Sequence, residues 1–337
     1  MSREGLCLVL IAGLVAGVAA QQPQFRSGLT TVAVPVTVID RYGYIVKGLE
    51  QDAFTLYDEG KVQPITNFTT DDAPLNAVVL IDTSASMTAG LELARYAAEQ
   101  FVLRLWPGDR AKIGTFNEIL TLSERFSRDR DELLRYIRGG QHVGNPTRVL
   151  DAVDNAISTL VPEQGRKMIL LLTDGCDTAS RKTWAPVRDR LREESIMLYT
   201  VEVPSTVKIR PDYAKKRSWT CEELERQYLK AETIADIIRF NDWRRNQKPA
   251  LVLNTMTQDT GGSRIHLRAG DDANSMFTQL LEEIHHLYLL GFVPKILDGE
   301  YHRLKVTVKD KSMLVRARGM YHAAPPDRPN GGDTGRQ

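Results

Sequence analysis

The hydrophobic and polar positions between residues 74 and 290 alternate between two patterns. Short, continuously apolar segments are typical of strands that are buried on both faces. They occur at 77–81, 111–116, 168–172 and 196–203. In the segments between them, apolar residues recur at steps of three and four, as at Leu91, Ala94 and Ala98, which predicts amphipathic helices. The pattern therefore predicts an α/β fold: a doubly wound, mostly parallel sheet with helices on both faces.

The segments on either side of this α/β domain, which we place at 74–290, have a β pattern instead. An N-terminal segment, 26–73, is rich in β-branched residues at 31–39, and a C-terminal segment, 291–322, has a strand pattern at 304–308. Each is too small to bury a core alone, so we expect the two to pair as a small β-sandwich-like domain. The alternative is two separate appendages, because such distant pairing must overcome loop-closure entropy.

Three further segments differ in composition from these domains. Residues 1–20 combine Arg3 with an apolar run that ends in small residues, which predicts a cleaved signal peptide and a periplasmic or secreted protein. The charged stretch 205–249 predicts a helical insertion, which is either a solvated decoration or a contributor to partner specificity. Residues 323–337 are rich in proline and glycine, so we expect a disordered tail.

Charge and cysteine content narrow the classes of partner and compartment. With 44 basic and 43 acidic residues, the formal net charge of +1 provides no reason to expect a nucleic-acid partner. After signal cleavage two cysteines remain, Cys176 and Cys221, in a compartment where disulfides persist. The sequence leaves two alternatives open: the two cysteines form a disulfide, or both are free thiols.

Oxygen-bearing side chains follow the predicted strands at the edge where a doubly wound sheet binds its ligands. Asp82, Ser84 and Ser86 follow the first apolar strand, Thr147 precedes a helix, and Asp174 follows another buried strand. Three hydroxyls and two carboxylates are hard ligands that suit Mg²⁺ or Mn²⁺ rather than zinc. With so few charges around it, the ion stays electrophilic and is able to accept a carboxylate from a partner protein.

This ordered set resembles the metal-ion-dependent adhesion site of von Willebrand factor A domains. The flanking stretches, among them HLYLLGFVP and YHRLKVTVKD, are similar to those of the bacterial, especially acidobacterial, VWFA-related proteins. The resemblance implies cation-dependent protein binding, as in adhesion or scaffolding, without catalysis. Asn145 and Pro146 stand where the family often has glycines, and the insertion is longer than the family leads us to expect.

Each piece of the site also has a structural interpretation, and other functions compete. Asp82, Ser84 and Thr147 are suitable helix N-caps, and Asp174 with its glycine is suited to a turn. An Mg²⁺-dependent aspartyl-phosphate enzyme would use Asp82 as its nucleophile, but the second acidic residue that such enzymes usually carry is Ser84 here. A purely structural envelope protein, in which the ion stiffens the fold, is a third class.

We expect His285 and His286 to lie on the surface at a helix end.

Overall fold

The computed structural model describes residues 31–70, 73–139, 143–144, 146–203 and 249–325. The predicted signal peptide, residues 205–248 of the predicted insertion, Cys221 and residues 326–337 of the predicted tail lie outside these ranges. In chain order the strands are β1 (Val32–Ile39), β2 (Phe54–Asp58), β3 (Lys61–Gln63), β4 (Asn67–Thr70), β5 (Leu75–Asp82), β6 (Arg110–Phe116), β7 (Leu120–Leu122), β8 (Arg166–Thr173), β9 (Ile196–Glu202), β10 (Arg264–His266), β11 (Tyr288–Phe292), β12 (Tyr301–Val308), β13 (Leu314–Ala317) and β14 (Met320–His322).

The α-helices of the described ranges are α1 (Leu91–Leu103), α2 (Arg130–Arg138), α3 (Val149–Leu160), α4 (Trp184–Glu193), α5 (Pro249–Asp259) and α6 (Ala273–His285). Two short 3-10 helices occur at Gln51–Ala53 and Ala85–Ala89. Within the same ranges, no helix combines the length and the apolar content needed to cross a membrane.

The central sheet has the strand order β10-β9-β8-β5-β6-β7. Neighbouring strands are parallel from β10 to β6, and β7 pairs antiparallel with β6. The chain leaves β5 toward β6 and later returns to β8 on the other side of β5, so the order reverses beside β5. In doubly wound sheets, ligands bind beyond the carboxyl ends of the strands at such a switch point. The predicted fold class is confirmed.

Every residue of β5 is buried because helices cover both faces of the sheet. Alternate residues of a strand point to opposite faces, so Val79 and Ile81 pack with α1, α2 and α6, and Val78 and Leu80 pack with α3, α4 and α5. This double coverage explains why the strand appears in the sequence as a continuous apolar run.

The segments that flank the α/β domain pair with each other, as predicted, to form a β-sandwich. One sheet has the order β13-β1-β11-β4 and the other β14-β12-β2-β3. In each sheet a strand from the N-terminal segment pairs antiparallel with one from the C-terminal segment, β1 with β11 and β2 with β12. The sandwich core includes Val34, Val36, Leu56, Leu290 and Phe292. The loop-closure entropy is therefore offset by a shared apolar core.

The chain returns to the sandwich earlier than the sequence pattern predicts. We placed the end of the α/β domain at residue 290, but β11 begins at Tyr288 and pairs with both β1 and β4. Its apolar residues follow α6 with almost no polar break, so the pattern shows no boundary between them. The two domains are thus joined directly, by the end of α6.

The prediction that His285 lies on the surface is wrong. Its side chain is 2% exposed, and its Nε2 lies 2.9 Å from Asp109 Oδ2. The ring stacks on Trp106 with 4.0 Å between ring centroids and 6° between ring planes. Asp109 also accepts the backbone N–H groups of Leu75 and Trp106. The last turn of α6 is buried against the start of β5, which its position at a helix end does not reveal.

Candidate metal site

Asp82 is the last residue of β5, and the chain turns sharply after it into the 3-10 helix Ala85–Ala89. The turn is closed by the backbone N–H of Ser84, which donates to Asp82 Oδ1 at 2.8 Å. Ser84 Oγ then lies 2.9 Å from Ser86 Oγ. Asp82 and Ser84 are buried, and Ser86 is partly exposed. The structure therefore brings the first three predicted residues together at the carboxyl edge of the sheet.

Asp174 follows the neighbouring strand β8, and the residue before it joins the two strand ends. Thr173 donates its hydroxyl to Asp82 Oδ2 at 2.6 Å, and its Oγ1 accepts the Gly175 N–H at 3.0 Å. The N–H of Cys176 donates to Asp174 Oδ1 at 3.0 Å. Asp174 Oδ2 is buried and has no hydrogen-bond partner among the residues that the structure describes. One carboxylate oxygen is therefore held by the loop, and the other is left without a donor.

Thr147 is buried. Its segment forms backbone contacts with the loop that follows β5 and with the loop that follows β8. Gly144, three residues earlier, forms a parallel bridge with Ser84, and its carbonyl accepts the Ala85 N–H at 2.9 Å. The Thr147 carbonyl accepts the N–H groups of Thr178 and Ala179, each at 3.0 Å. Among the described residues no hydrogen bond joins the Thr147 hydroxyl directly to the other four side chains. The shared loops bring it to the same edge.

The two carboxylates of the site interact electrostatically. Burial raises the pKa of Asp82, and the nearby charge of Asp174 raises it further, to about 7, although hydrogen bonds from Thr173 and Ser84 oppose the shift. Two ionised carboxylates close together in a buried site repel each other unless a proton or a cation is present. The metal-free site therefore favours an additional positive charge.

The loop after Asp174 is fixed to the start of α3 by a set of residues that the sequence did not identify. Asp177 is buried, and its carboxylate accepts the N–H groups of Leu150, Ala179 and Ser180. The Ser180 hydroxyl accepts the Leu150 N–H at 3.0 Å. Asp177 and Ser180 appear in the sequence as ordinary polar loop residues, so no local signal distinguishes them. They fix the loops that carry Thr147 and Asp174 relative to each other.

Cys176, two residues after Asp174, is buried and disulfide-bonded. Of the two alternatives left open by the sequence, a free thiol at this position is excluded. The other two cysteines of the chain lie outside the described residues. The bond restrains the loop that carries Asp174.

The donor set fits a hard divalent cation. The five predicted side chains offer oxygen atoms alone, and Asp174 Oδ2 is a buried acceptor for which the described residues provide no donor. No group of three or more His, Cys, Asp or Glu side chains suited to a metal occurs in the part of the chain that the structure describes. This excludes, for those residues, the ligand-rich clusters typical of structural zinc.

Residues 77–176 match the sequence model of the von Willebrand factor type A domain. This match begins within β5 and ends in the Asp174 loop, and thus includes all five predicted site residues. The chain contains a von Willebrand factor type A domain. A search of curated proteins finds no significant match.

Solved structures that resemble the chain include bacterial and animal proteins. One is an aerotolerance-related membrane protein from Bacteroides fragilis, with 15% identity, a TM-score of 0.45, and coverage of 62% of this chain and 98% of that chain. Another is BatB from Bacteroides thetaiotaomicron, with 12% identity, a TM-score of 0.42, and coverage of 63% and 98%. A third is proximal thread matrix protein 1 from the mussel byssus, whose MIDAS motif (metal-ion-dependent adhesion site) is occupied by zinc in that structure. It has 22% identity, a TM-score of 0.35, and coverage of 40% of this chain and 37% of that chain.

Proposed function

We propose that the chain is an exported protein-binding module, used in adhesion or scaffolding, that depends on a divalent cation. Asp82, Ser84, Ser86, Thr147 and Asp174 hold the ion, which is Mg²⁺ or Mn²⁺. The ion in turn binds an acidic residue of a partner protein. Export rests on the signal-peptide pattern of residues 1–20.

The observation that carries this proposal is the state of the two carboxylates. Asp174 Oδ2 is buried without a donor in the described part of the chain, and the pKa of Asp82 is raised to about 7 by burial and by Asp174. Buried acceptors without partners are uncommon in folded proteins and cost about 1–3 kcal/mol each. A cation supplies the missing positive charge and satisfies both groups. Three hydroxyls add coordination without further negative charge, which leaves the ion attractive to a partner's carboxylate.

Binding rather than catalysis is favoured by the environment of Asp82. Its side chain has no exposed surface, and both carboxylate oxygens accept hydrogen bonds, from the Ser84 N–H and from the Thr173 hydroxyl. A nucleophile needs an accessible oxygen that is able to reach the substrate. Asp82 is therefore suited to hold an ion and poorly suited to attack a phosphorus atom.

The proposal is tested with two variants of the same loop, Asp174→Asn and Asp177→Asn. Both aspartates follow β8, but the Asp177 carboxylate is fully bonded to backbone N–H groups, while Asp174 has the unpartnered oxygen. Immobilised wild-type protein and both variants are incubated with cell-envelope extract in MgCl₂ or in EDTA, and captured proteins are identified by mass spectrometry. Circular dichroism confirms that each variant is folded.

We expect a defined protein to be captured by the wild type in MgCl₂ and released by EDTA. Asp174→Asn should capture none of it, whereas Asp177→Asn loosens the loop but keeps the ligand, so it should retain weaker, magnesium-dependent capture. Capture that is equal in MgCl₂ and EDTA, or equal for the wild type and Asp174→Asn, contradicts the proposal. Detection of the full-length protein in the cytosolic fraction alone contradicts its export.

A further inference from the structure

A cavity of about 290 Å³ lies beside the proposed metal site. Its walls include the end of β6, the start of β7, the first turns of α3 and the loop at residues 181 and 182. Phe116 in one wall is the register partner of Asp82. Arg148 in another wall directly follows Thr147, and its N–H donates to the Asn117 carbonyl at 3.1 Å. The cavity is therefore continuous with the edge of the sheet that carries the predicted ligands.

Two of the acidic side chains that line the cavity are already engaged. Asp151 Oδ1 accepts the backbone N–H groups of Arg181 at 3.0 Å and of Lys182 at 2.9 Å. Asp154 forms ion pairs with Lys182 Nζ, at 3.2 Å, and with Arg190. These contacts fix the position of the 181–182 loop over the start of α3. Two cations therefore compensate Asp154, whereas Asp151 keeps its negative charge because its partners are neutral backbone N–H groups.

Arg148 and Arg181 supply cations that no ion pair compensates in the described ranges. Arg148 Nε is also buried and has no hydrogen-bond partner there. The opposing anions are Asp151 and Glu118, and Glu118 likewise forms no ion pair within those ranges and has a buried, unpartnered Oε2. With Lys182, Arg190 and Asp154 included, four cations face three anions, so the net charge around the cavity is +1. An unsatisfied guanidinium in a partly enclosed site favours a carboxylate ligand, to which it donates strong hydrogen bonds.

We propose that this cavity receives a second acidic side chain of the partner protein. The partner would then present an extended acidic segment, with one carboxylate at the metal ion and another between Arg148 and Arg181. This inference rests on the proposed function, and it goes further by assigning the segment two acidic residues. The ion provides cation dependence, and the arginine cavity distinguishes a doubly acidic segment from a singly acidic one.

Synthetic peptides test this inference without knowledge of the natural partner. Fluorescein-labelled glycine-serine peptides carry one aspartate, two aspartates at a series of spacings, or one aspartate and one lysine at the same positions. Their binding to the full chain is measured by fluorescence anisotropy in MgCl₂ and in EDTA. We expect the best two-aspartate peptide to bind about fivefold more tightly than the one-aspartate peptide in MgCl₂, because a partly exposed ion pair contributes about 1 kcal/mol.

Arg181→Gln and Arg148→Gln should each reduce that advantage while leaving the affinity for the one-aspartate peptide unchanged. The matched control is Arg128→Gln. Arg128 is also exposed, but its neighbour Ser127 bridges to Ala111 near the start of β6, at the opposite edge of the sheet. Arg128→Gln should keep the full advantage of the second aspartate.

The outcomes separate this inference from the proposed function. Equal affinities for one- and two-aspartate peptides, or an advantage that survives in both cavity variants, overturn the second acidic subsite and leave the metal-dependent contact intact. If calorimetry shows a bound ion but no peptide binds in a magnesium-dependent way, the proposed partner chemistry fails as well. Tighter binding of the aspartate-lysine peptide than of the two-aspartate peptide would indicate that Glu118 dominates the cavity, which also overturns the inference.

Discussion

The hydroxyl of Thr173 donates a hydrogen bond to Asp82 Oδ2 at 2.6 Å. Thr173 ends β8 and Asp82 ends β5, and these neighbouring strands are parallel, so the bond joins two strand ends at the proposed metal site. Both residues are fully buried. Thr173 therefore acts as a positioning residue that fixes the orientation of a predicted metal ligand.

Replacing Thr173 by valine should weaken Mg²⁺ binding by about tenfold, because groups that orient a metal ligand typically affect affinity to this extent. Valine has nearly the same shape but cannot donate to Asp82. Thr173→Ser keeps the hydroxyl and should retain affinity within about twofold, on the same reasoning. Isothermal titration calorimetry measures both. An unchanged affinity in Thr173→Val would show that the bond plays no part in the site.

Magnesium affinity should also depend on pH near neutrality. Burial and the charge of Asp174 raise the pKa of Asp82 to about 7, so below this pH the ion must displace a proton. We expect binding at pH 6 to be about tenfold weaker than at pH 8. Titrations in two buffers of different ionisation enthalpy should reveal proton release at pH 6.5. Equal affinities at pH 6 and pH 8, with the protein folded at both, would contradict this.

The sign of the corresponding stability effect follows from the same shift. Between the ordinary aspartate pKa, about 3.9, and about 7, the folded metal-free protein retains a proton on Asp82 that the unfolded chain has lost. The contribution of Asp82 to metal-free stability therefore falls as the pH rises through this window. Bound Mg²⁺ should reverse the trend, since it replaces the proton.

In the β-sandwich, His302 should give a second pH dependence. The ring is buried between two carboxylates, with Nδ1 3.0 Å from Asp58 Oδ1 and Nε2 3.2 Å from Asp298 Oδ1. Burial by itself lowers the pKa of His302, but the hydrogen bonds to Asp298 and Asp58 outweigh burial and raise the pKa. Tyr321 also donates to Asp58 Oδ2, at 3.0 Å. The stabilising effect of protonated His302 is complete below the unfolded pKa of about 6.5. It is lost as the pH rises through the raised pKa of the folded state.

His302→Asn should therefore destabilise the protein more at pH 6 than at pH 8. The measurement is the urea midpoint of the wild type and of the variant at both pH values. Taking the difference between the two proteins removes the contribution of Asp82, which they share. A difference that is the same at pH 6 and pH 8 would show that folding does not raise the pKa of His302, and would contradict this prediction.

Between the two domains, a buried arginine provides a stability prediction. Arg192 has a side chain that is 1% exposed, pairs with Asp259 and Asp189, and lies 5.2 Å from the Tyr301 ring centroid in the sandwich. Asp259→Ala should cost about 3 kcal/mol, because it leaves a buried cation partly unpaired. The control Glu92→Ala breaks the exposed Glu92–Arg95 pair and should cost about 0.5 kcal/mol or less. The free energy of unfolding of each variant is measured by urea denaturation. Similar losses of stability in the two variants would contradict the prediction.

The sequence pattern predicted helices and strands wherever burial makes apolar residues recur at a regular spacing. The strand β5 and the helix α1 were predicted closely, because a doubly covered strand is continuously apolar and a helix against a sheet repeats its apolar residues every three to four positions. The three-residue strands β3, β7 and β14 were not predicted, since they are too short to show a period. Similarly, α5 begins at Pro249, where the predicted insertion ends, and was not predicted as a separate helix.

In the candidate site, the predicted ligands were found from the sequence, whereas the residues that support them were not. Asp82, Ser84, Ser86, Thr147 and Asp174 were found because each stands directly at the end of a predicted element. The groups that support them were missed, because their roles depend on contacts across the chain that have no local signature. The Thr173 hydroxyl reaches 91 residues back to Asp82, and Asp177 reaches 27 residues back to Leu150. Such partners become visible once the loops are placed beside one another.

Calorimetric titration of the purified, folded chain with MgCl₂ and MnCl₂ tests the central claim most directly. The account predicts uptake of about one ion per chain, lost in Asp174→Asn and retained with lower affinity in Asp177→Asn, because the unpartnered oxygen belongs to Asp174 and Asp177 only supports its loop. The absence of uptake of either ion by the folded wild type, or equal uptake by the wild type and Asp174→Asn, would contradict it.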